Sequence, residues 1–345
     1  MVKRRHPPPA PRPVEDAPLL TMNCHEAWVH QLAGLPGRID IVDGLPGRYT
    51  SRWDANVRPV PPNGRLLPLD EALRSGTRYR CAVAHNVTDL MDLKQLDAPR
   101  LLVIHTTMEG RLDQDRAATA PDVYLERLRR YVAALNIHVV AVSRLKGDSW
   151  GGLHHDVIPF GADVDVYPPW SGEVAAGIRV ANQVRAKARV LRWELHEQAF
   201  ADVPVRLVGH NPDMPGVAPS QSWSDLRSLL AAHRFYVHTA EPSMEDGYNM
   251  ATLEAMAAGL PVLGNHHPTS PVVHGESGFL SDDPTELAGY ARTLLADREL
   301  AGRMGEAARR TVRERFSVQR FIDAFAAAIA TARRKWRGLP GAPRR

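Results

Sequence analysis

The stretch that decides the reading runs from Ser243 to Val262, SMEDGYNMATLEAMAAGLPV. It holds three carboxylates, Glu245, Asp246 and Glu254, beside a glycine and a run of small apolar residues. Asn249 is a good helix N-cap, since its side-chain oxygen can take a first-turn N–H. Met250 to Ala258 then has helical spacing, with Met250, Leu253 and Ala257 on one face. Gly259 is the expected stop and Pro261 follows it. Gly247, Tyr248, Asn249 and Met250 therefore lie at a helix start, where free N–H groups and the helix dipole favour an anion, above all a phosphate. Carboxylates repel phosphate but accept from hydroxyls. Amides for phosphate beside acids for hydroxyls suit a sugar nucleotide. The competing reading of the stretch alone is an acid-rich loop that caps a helix.

On both sides of this stretch, apolar strand-sized runs alternate with helical patterns. Strands are expected at 18–22, 38–44, 81–86, 99–106 and 138–143, with helices at 26–35, 87–96 and 122–135 between them. Residues 46–68 read as irregular, and GLPGR at 34–38 and 44–48 as two turns. DVIPFGADVDVYPPWSG at 156–172 is the expected linker. The alternation then restarts: strands at 177–182, 203–210, 234–240 and 260–265, and helices at 186–201, 222–233, 284–296, 298–315 and 316–336. Continuous apolar strands separated by helices imply parallel sheets covered on both faces. Two such halves imply a cleft, with ligands at the carboxyl ends of the strands.

The 345 residues suffice for two ordinary domains. The formal net charge of +4 is carried by the ends. Residues 1–13 hold Lys3, Arg4, Arg5 and Arg12 and no acid, and residues 333–345 hold six basic residues and no acid, leaving the stretch between them net negative. That argues against a nucleic-acid-binding body. Basic tails suit solubility, the preferred reading, or weak contact with anionic lipid. The N-terminal arm has no apolar signal core, and two cysteines with no CxxC spacing fit a reducing cytosol, so the expected location is cytoplasmic, with room for peripheral membrane contact.

The residues carry a resemblance. Asp246, seven residues and Glu254, followed by AMAAGLPV, resemble the signature of retaining glycosyltransferases of family 4, E-G-F-G-x-x-x-x-E-A-M-A-x-G-x-P-V. In chain order, VIHTTMEG (103–110), AVSRL (141–145), VIPFGAD (157–163), VGHNPD (208–213) and HGESGFL (274–280) are similar to further segments of that family. The resemblance covers about residues 100–325.

It implies a GT-B fold: two Rossmann-like α/β domains facing a cleft, and a C-terminal helix that crosses back to the first domain. The expected divisions are an arm at 1–17, an acceptor domain at 18–162, a donor domain at 163–316, the returning helix at 317–335 and a basic tail at 336–345. It implies a retaining, metal-independent transfer from a nucleoside diphosphate sugar to a hydroxyl acceptor (a saccharide, lipid-linked or small molecule), with no cofactor beyond the donor. Glu254 would bind the donor ribose, Asp246 the sugar hydroxyls, with Glu245 as the neighbour able to share that role. Gly247 to Met250 would bind the diphosphate, and His105 would hydrogen-bond the donor sugar. The family's basic pair at the first turn of the donor domain matches loosely here. Asn182 or Gln183 stands at the arginine position, and Arg185 and Lys187 are the expected substitutes, with Arg189 as a further option. The Gly-Gly loop usual after the first strand is replaced by NCHE (23–26).

Two alternatives stay open: a nucleotide-sugar epimerase or hydrolase of the same fold, and a non-catalytic sugar-nucleotide-binding protein. HEAWVH (25–30) spaces its histidines by five, not the four a zinc-binding helix face needs, although His25 could line the cleft. DVD (163–165) is better explained by its place in the linker. No GxGxxG follows the first strand and no GxSxG is present.

Overall fold

The computed structural model describes residues 17–48, 50–115 and 120–338. The arm expected at 1–17 and most of the tail at 336–345 lie outside them.

The first half forms a seven-stranded parallel sheet in the order β3-β2-β1-β4-β5-β6-β7. Its strands are β1 (Leu19–Met22), β2 (Ile39–Val42), β3 (Gly64–Leu67), β4 (Cys81–Ala84), β5 (Arg100–Ile104), β6 (His138–Ala141) and β7 (Asp156–Val157). β1, β2, β4, β5 and β6 are buried at every position, as both-face covering requires. Two strands differ from expectation. β3 falls inside the stretch read as irregular, and β7 is formed by the first two residues of the expected linker. β3 is an edge strand with two exposed positions, so it lacks the apolar run that marked the others.

Between these strands run α1 (Glu26–His30), α2 (Leu69–Arg74), α3 (Val87–Asp92), α4 (Met108–Asp115), α5 (Pro121–Ala134) and α6 (Arg144–Ser149). The helix expected at 26–35 stops at His30 and tightens into a 3-10 turn, Gln31–Gly34.

The second sheet has five parallel strands in the order β12-β11-β10-β8-β9. They are β8 (Val174–Val180), β9 (Val205–Val208), β10 (His233–His238), β11 (Val262–Gly264) and β12 (Gly278–Leu280). Its helices are α7 (Trp193–Phe200), α8 (Trp223–Ala232), α9 (Met250–Ala257), α10 (Pro284–Ala296) and α11 (Arg298–Arg315). The helix expected at 186–201 begins only at Trp193. Gln183 and Arg192 take left-handed φ angles of 54° and 43°, which break helical continuity in the turns between them. Gly259 ends α9 with φ of 86°, as its expected role as a stop requires.

The last helix, α12 (Val318–Lys335), returns to the first sheet. Its buried face, Phe321, Ile322, Phe325, Ala328, Ile329 and Ala332, has helical spacing and lies on β4, β5 and β6. The crossing is fixed where Ala162 N–H donates to the Phe316 carbonyl at 2.8 Å. Trp28, Phe160, Tyr167, Tyr248, Phe316, Phe321 and Phe325 belong to one apolar cluster that runs through both halves. Phe325 is fully buried, its ring 5.4 Å from that of Trp28. Truncating Phe325 to Ala should cost about 3–5 kcal/mol of stability, read as a lowered urea midpoint, because α12 has no other face to bury there.

Candidate active site

The site is built on the loop between β10 and α9, at the carboxyl ends of the second sheet. Asn249 caps α9 as expected, its side chain accepting from the Thr252 N–H at 2.9 Å. The first-turn N–H groups of such a helix have no carbonyl partner within it. Ahead of the cap the loop is pinned through its backbone. Nε2 of His238 lies 3.2 Å from the Asp246 carbonyl, and Nε2 of His267 lies 2.9 Å from the Glu245 carbonyl. Nδ1 of His267 accepts from the Thr269 N–H at 3.1 Å, so its Nε2–H is the donor to Glu245. These contacts leave the acidic side chains to point elsewhere.

They point across the interface between the two halves. Lys146, on α6 of the first half, places Nζ 2.5 Å from Glu245 and 3.3 Å from Asp246. Its side chain is 4% exposed and that of Asp246 is 1% exposed. Burial alone would push Glu245 up, but the Lys146 charge and its hydrogen bond outweigh this and hold it below the usual glutamate range. Burial likewise opposes the charge on Lys146, and the two carboxylates more than offset it, raising its pKa. Asp246 is paired by charge only: neither of its oxygens has a hydrogen bond among the described residues.

Glu254 makes the second crossing. Arg58 donates to its Oε1, and the arginine side chain is 5% exposed. The guanidinium lies 4.6 Å over the Trp223 ring, and Arg227 lies 4.5 Å over the same ring. Arg58 belongs to the stretch read as irregular. That stretch is held by a turn closed from the Arg58 N–H to the Asp54 carbonyl at 3.3 Å, by Asp54 N–H donating to Glu26, and by Trp53 Nε1–H donating to the Arg58 carbonyl at 2.8 Å. A third crossing is neutral: Thr107 Oγ1–H donates to the Met244 carbonyl at 3.0 Å.

His105 follows β5 and sits in the first half's face of the interface. Its Nε2 is 2.9 Å from Nδ1 of His85, which follows β4. Burial holds its pKa well below the ordinary range, with His85, Lys146 and His25 adding to the effect. His25 is lowered to about 4 by burial and by the charges of Arg58 and Lys187. Lys187 is half-buried and close enough for its charge to act on His25, whereas Arg185 is exposed on the same turn. Arg189 is exposed and pairs with Glu109 at 3.3 Å.

Gly247 also has a packing role. Its N–H donates to Thr269 Oγ1 at 2.8 Å, and a Cβ there would meet the His267 ring at 2.8 Å. The glycine makes room for the ring that pins the loop. The Tyr248 side chain is buried against Phe160 and Phe316, so only its backbone faces the helix start. The Met250 sulfur lies 3.8 Å from Gln31 Nε2. Asp163 caps a short 3-10 turn by accepting from the Asp165 N–H at 2.9 Å, which accounts for the DVD triplet. Sequence reasoning missed Arg58, Lys146, His238 and His267. Lys146 stands directly after the AVSRL segment, which was its only signal; the other three had none.

Two parallel α/β sheets facing one interface, with the C-terminal helix returning to the first, define the GT-B architecture. The HepE protein of Anabaena, solved with UDP and glucose, superposes with a TM-score of 0.64 over 91% of this chain and 100% of that one at 13% identity. Sucrose-phosphate synthase of Thermosynechococcus elongatus gives 0.64 over 90% and 98% at 14% identity. Residues 210–311, which contain the acidic loop and α9, match the family Glycosyl transferases group 1. The N-acetyl-alpha-D-glucosaminyl L-malate synthase of Bacillus anthracis is 37% identical over 113 residues, 32% of this chain. The match spans 26% of that relative's length.

Replacing Lys146 by Met strands the buried Asp246 and the half-buried Glu245 and should cost about 3–5 kcal/mol at neutral pH. The folded pKa of Glu245 is depressed, so its stabilisation is present above the ordinary carboxylate range and is lost as pH falls through the folded value. The raised pKa of Lys146 contributes fully at neutral pH and is lost only as pH rises through its folded value. Urea titrations at pH 7 and pH 4 should show a gap between wild type and Lys146→Met that shrinks at pH 4.

Proposed function

We propose that the protein is a retaining glycosyltransferase of family 4 type, moving a sugar from a nucleoside diphosphate donor to a hydroxyl acceptor. The observation that carries this reading is the pairing of an α9 N-terminus with Asp246 and Glu254 at one interface, inside the segment that matches Glycosyl transferases group 1. Glu254 holds the donor ribose, and Asp246, whose buried oxygens lack hydrogen bonds, takes the sugar hydroxyls. The first-turn amides of α9 and Lys187 stabilise the departing diphosphate, with Arg185 able to join from the surface. Fixed cations and amides do this without a resident metal. His105 stands on the sugar side of the interface.

The carboxylates are buried against the first half, so a donor reaches them only when the interface opens. Arg58 occupies Oε1 of Glu254, and among the described residues no hydrogen bond reaches Oε2. A ribose must share the carboxylate with Arg58 or displace it. A cavity of about 540 Å³ lined by Thr107, Met108, Glu109, Leu112, Pro121, Ser149 and Ser243 opens beside the Thr107–Met244 crossing and suits the acceptor. The acceptor class is a saccharide, a lipid-linked hydroxyl or a small molecule, and the proposed location is the cytoplasm.

Retention without an enzymic nucleophile implies attack on the face the diphosphate leaves. A retaining glycosidase instead uses a carboxylate pair flanking the scissile bond, and a ribose-bound Glu254 is in the wrong place for that. Glu254→Ala should lose at least about two orders of magnitude in release of nucleoside diphosphate, measured over a panel of UDP-, GDP-, ADP- and TDP-sugars. Wild-type turnover by that variant removes the assignment. Chelator-treated protein should keep its turnover, and the product anomer by NMR should match the donor. Sugar product formed from donor alone would favour the epimerase or hydrolase alternative, and nucleotide-dependent stabilisation without turnover the binding-protein alternative.

A further inference from the structure

Three neighbouring strands of the first sheet, β1, β4 and β5, end in chemistry that the donor site does not use in full. Cys24 lies two residues past β1, His85 directly after β4 and His105 directly after β5. One ligand atom from each lies within 4.8 Å of the others. The imidazoles are oriented. Thr21 Oγ1–H donates to the Met22 carbonyl, and the same oxygen is 2.9 Å from Nε2 of His85. With the hydroxyl in that orientation, His85 carries its proton on Nε2 and presents the Nδ1 lone pair to His105. The Trp28 ring meets both imidazoles edge-on, at 4.7 and 5.3 Å between centroids, and fixes their planes. A hydroxyl that sets the tautomer of a ligating histidine is the outer-shell arrangement typical of metal sites.

We propose that Cys24, His85 and His105 form a binding site for one borderline-soft divalent cation, with Zn²⁺ as the type case and a fourth position open to the interface. Thiolate with two imidazoles is the donor set such ions prefer over Mg²⁺ or Ca²⁺. Tetrahedral Zn–N and Zn–S bonds place donor atoms roughly 3.3–3.6 Å apart. The His85–His105 pair, now at 2.9 Å, has to open by a few tenths of an ångström, and the widest edge, within 4.8 Å, to close by up to about 1.5 Å. Side-chain rotation covers both. On binding, the Cys24 thiol loses its proton to solvent and a metal–sulfur bond forms. His105 moves its proton from Nε2 to Nδ1, and no electrons are transferred.

Other histidine groups are worse suited. At His138 and Asp156, Lys335 Nζ lies 3.2 Å from the second ring nitrogen. At His266 and Asp282, Arg192 already takes the carboxylate. Lys146 is the cation near His105, and its charge is met by Glu245 and Asp246.

A consequence rests on the glycosyltransferase reading. A metal that takes the His105 lone pair withdraws that residue from the sugar, so the ion acts as an inhibitor and not as a cofactor. The site itself is tested without activity.

Chelator-treated full-length protein in a non-thiol reductant is titrated with Co²⁺. Burial keeps the metal-free Cys24 thiol protonated, so a thiolate-to-cobalt charge-transfer band reports ligation. The expected result is one equivalent of Co²⁺ with that band, displaced by Zn²⁺. The band should be absent in Cys24→Ser, and the affinity should fall at least about tenfold in His85→Gln. Cys81→Ser should keep the band. A missing band, or binding that survives both Cys24→Ser and His85→Gln, overturns the proposal. A second measurement needs no variant. Zn²⁺ should slow alkylation of Cys24, located by peptide mass, and an unchanged rate also overturns it. If the metal binds as described but leaves transfer unaffected, the site stands and the role given to His105 falls.

Discussion

Lys146 is an ammonium removed from water, and such a charge persists only where carboxylates face it. The facing groups, Glu245 and Asp246, come from the other half of the molecule, more than ninety residues on. Neither half can bury its own charges in isolation without leaving them unpaired. The same constraint operates at Arg58 and Glu254. The interface is therefore held by charge pairs that depend on one another's burial, and it closes on the acids that the donor would need. Opening exposes these charges to water, where they are solvated, so the closed and open arrangements are nearer in energy than an apolar interface of the same size would allow.

The apolar cluster supplies what the charge pairs do not. Among the described residues α12 is the only long helix that leaves the sheet it follows in sequence, and its aromatic face lies against Trp28 and the strands β4 to β6. It tethers the two halves irrespective of whether the ion pairs are made. Phe160 stands between these systems, its ring packed on Tyr248 and 6.0 Å from the Lys146 ammonium. Phe160 thus joins the charged and apolar parts of the interface.

Most elements were legible because their periodicity is local. β1, β4, β5 and β6 are continuous apolar runs, and α10, α11 and α12 carry capping residues at their first turns. β3 and β7 were not legible, since an edge strand and a two-residue strand owe their pairing to a neighbour and not to their own pattern. The early start expected for α7 failed because Arg192 adopts a left-handed conformation that no composition signal announces. Within the site, Asp246 and Glu254 were found by spacing and Asn249 by capping chemistry. Gly247 was found, but its packing against the His267 ring, twenty residues away, was not legible.

The sequence by itself determined the α/β alternation, a long terminal helix, and the helix start flanked by acids, because each depends on residues within one or two turns of each other. The tertiary structure alone decided which cations meet those acids, that Lys187 is half-buried while Arg185 is exposed, and that Cys24, His85 and His105 converge. Strand order β1-β4-β5 brings together residues that are sixty and twenty positions apart, and side-chain spacing along a chain carries no record of sheet order. Long-range pairing of charge and ligand atoms is set by topology, and the physical cost of burying an unpaired group selects among the pairings that topology permits.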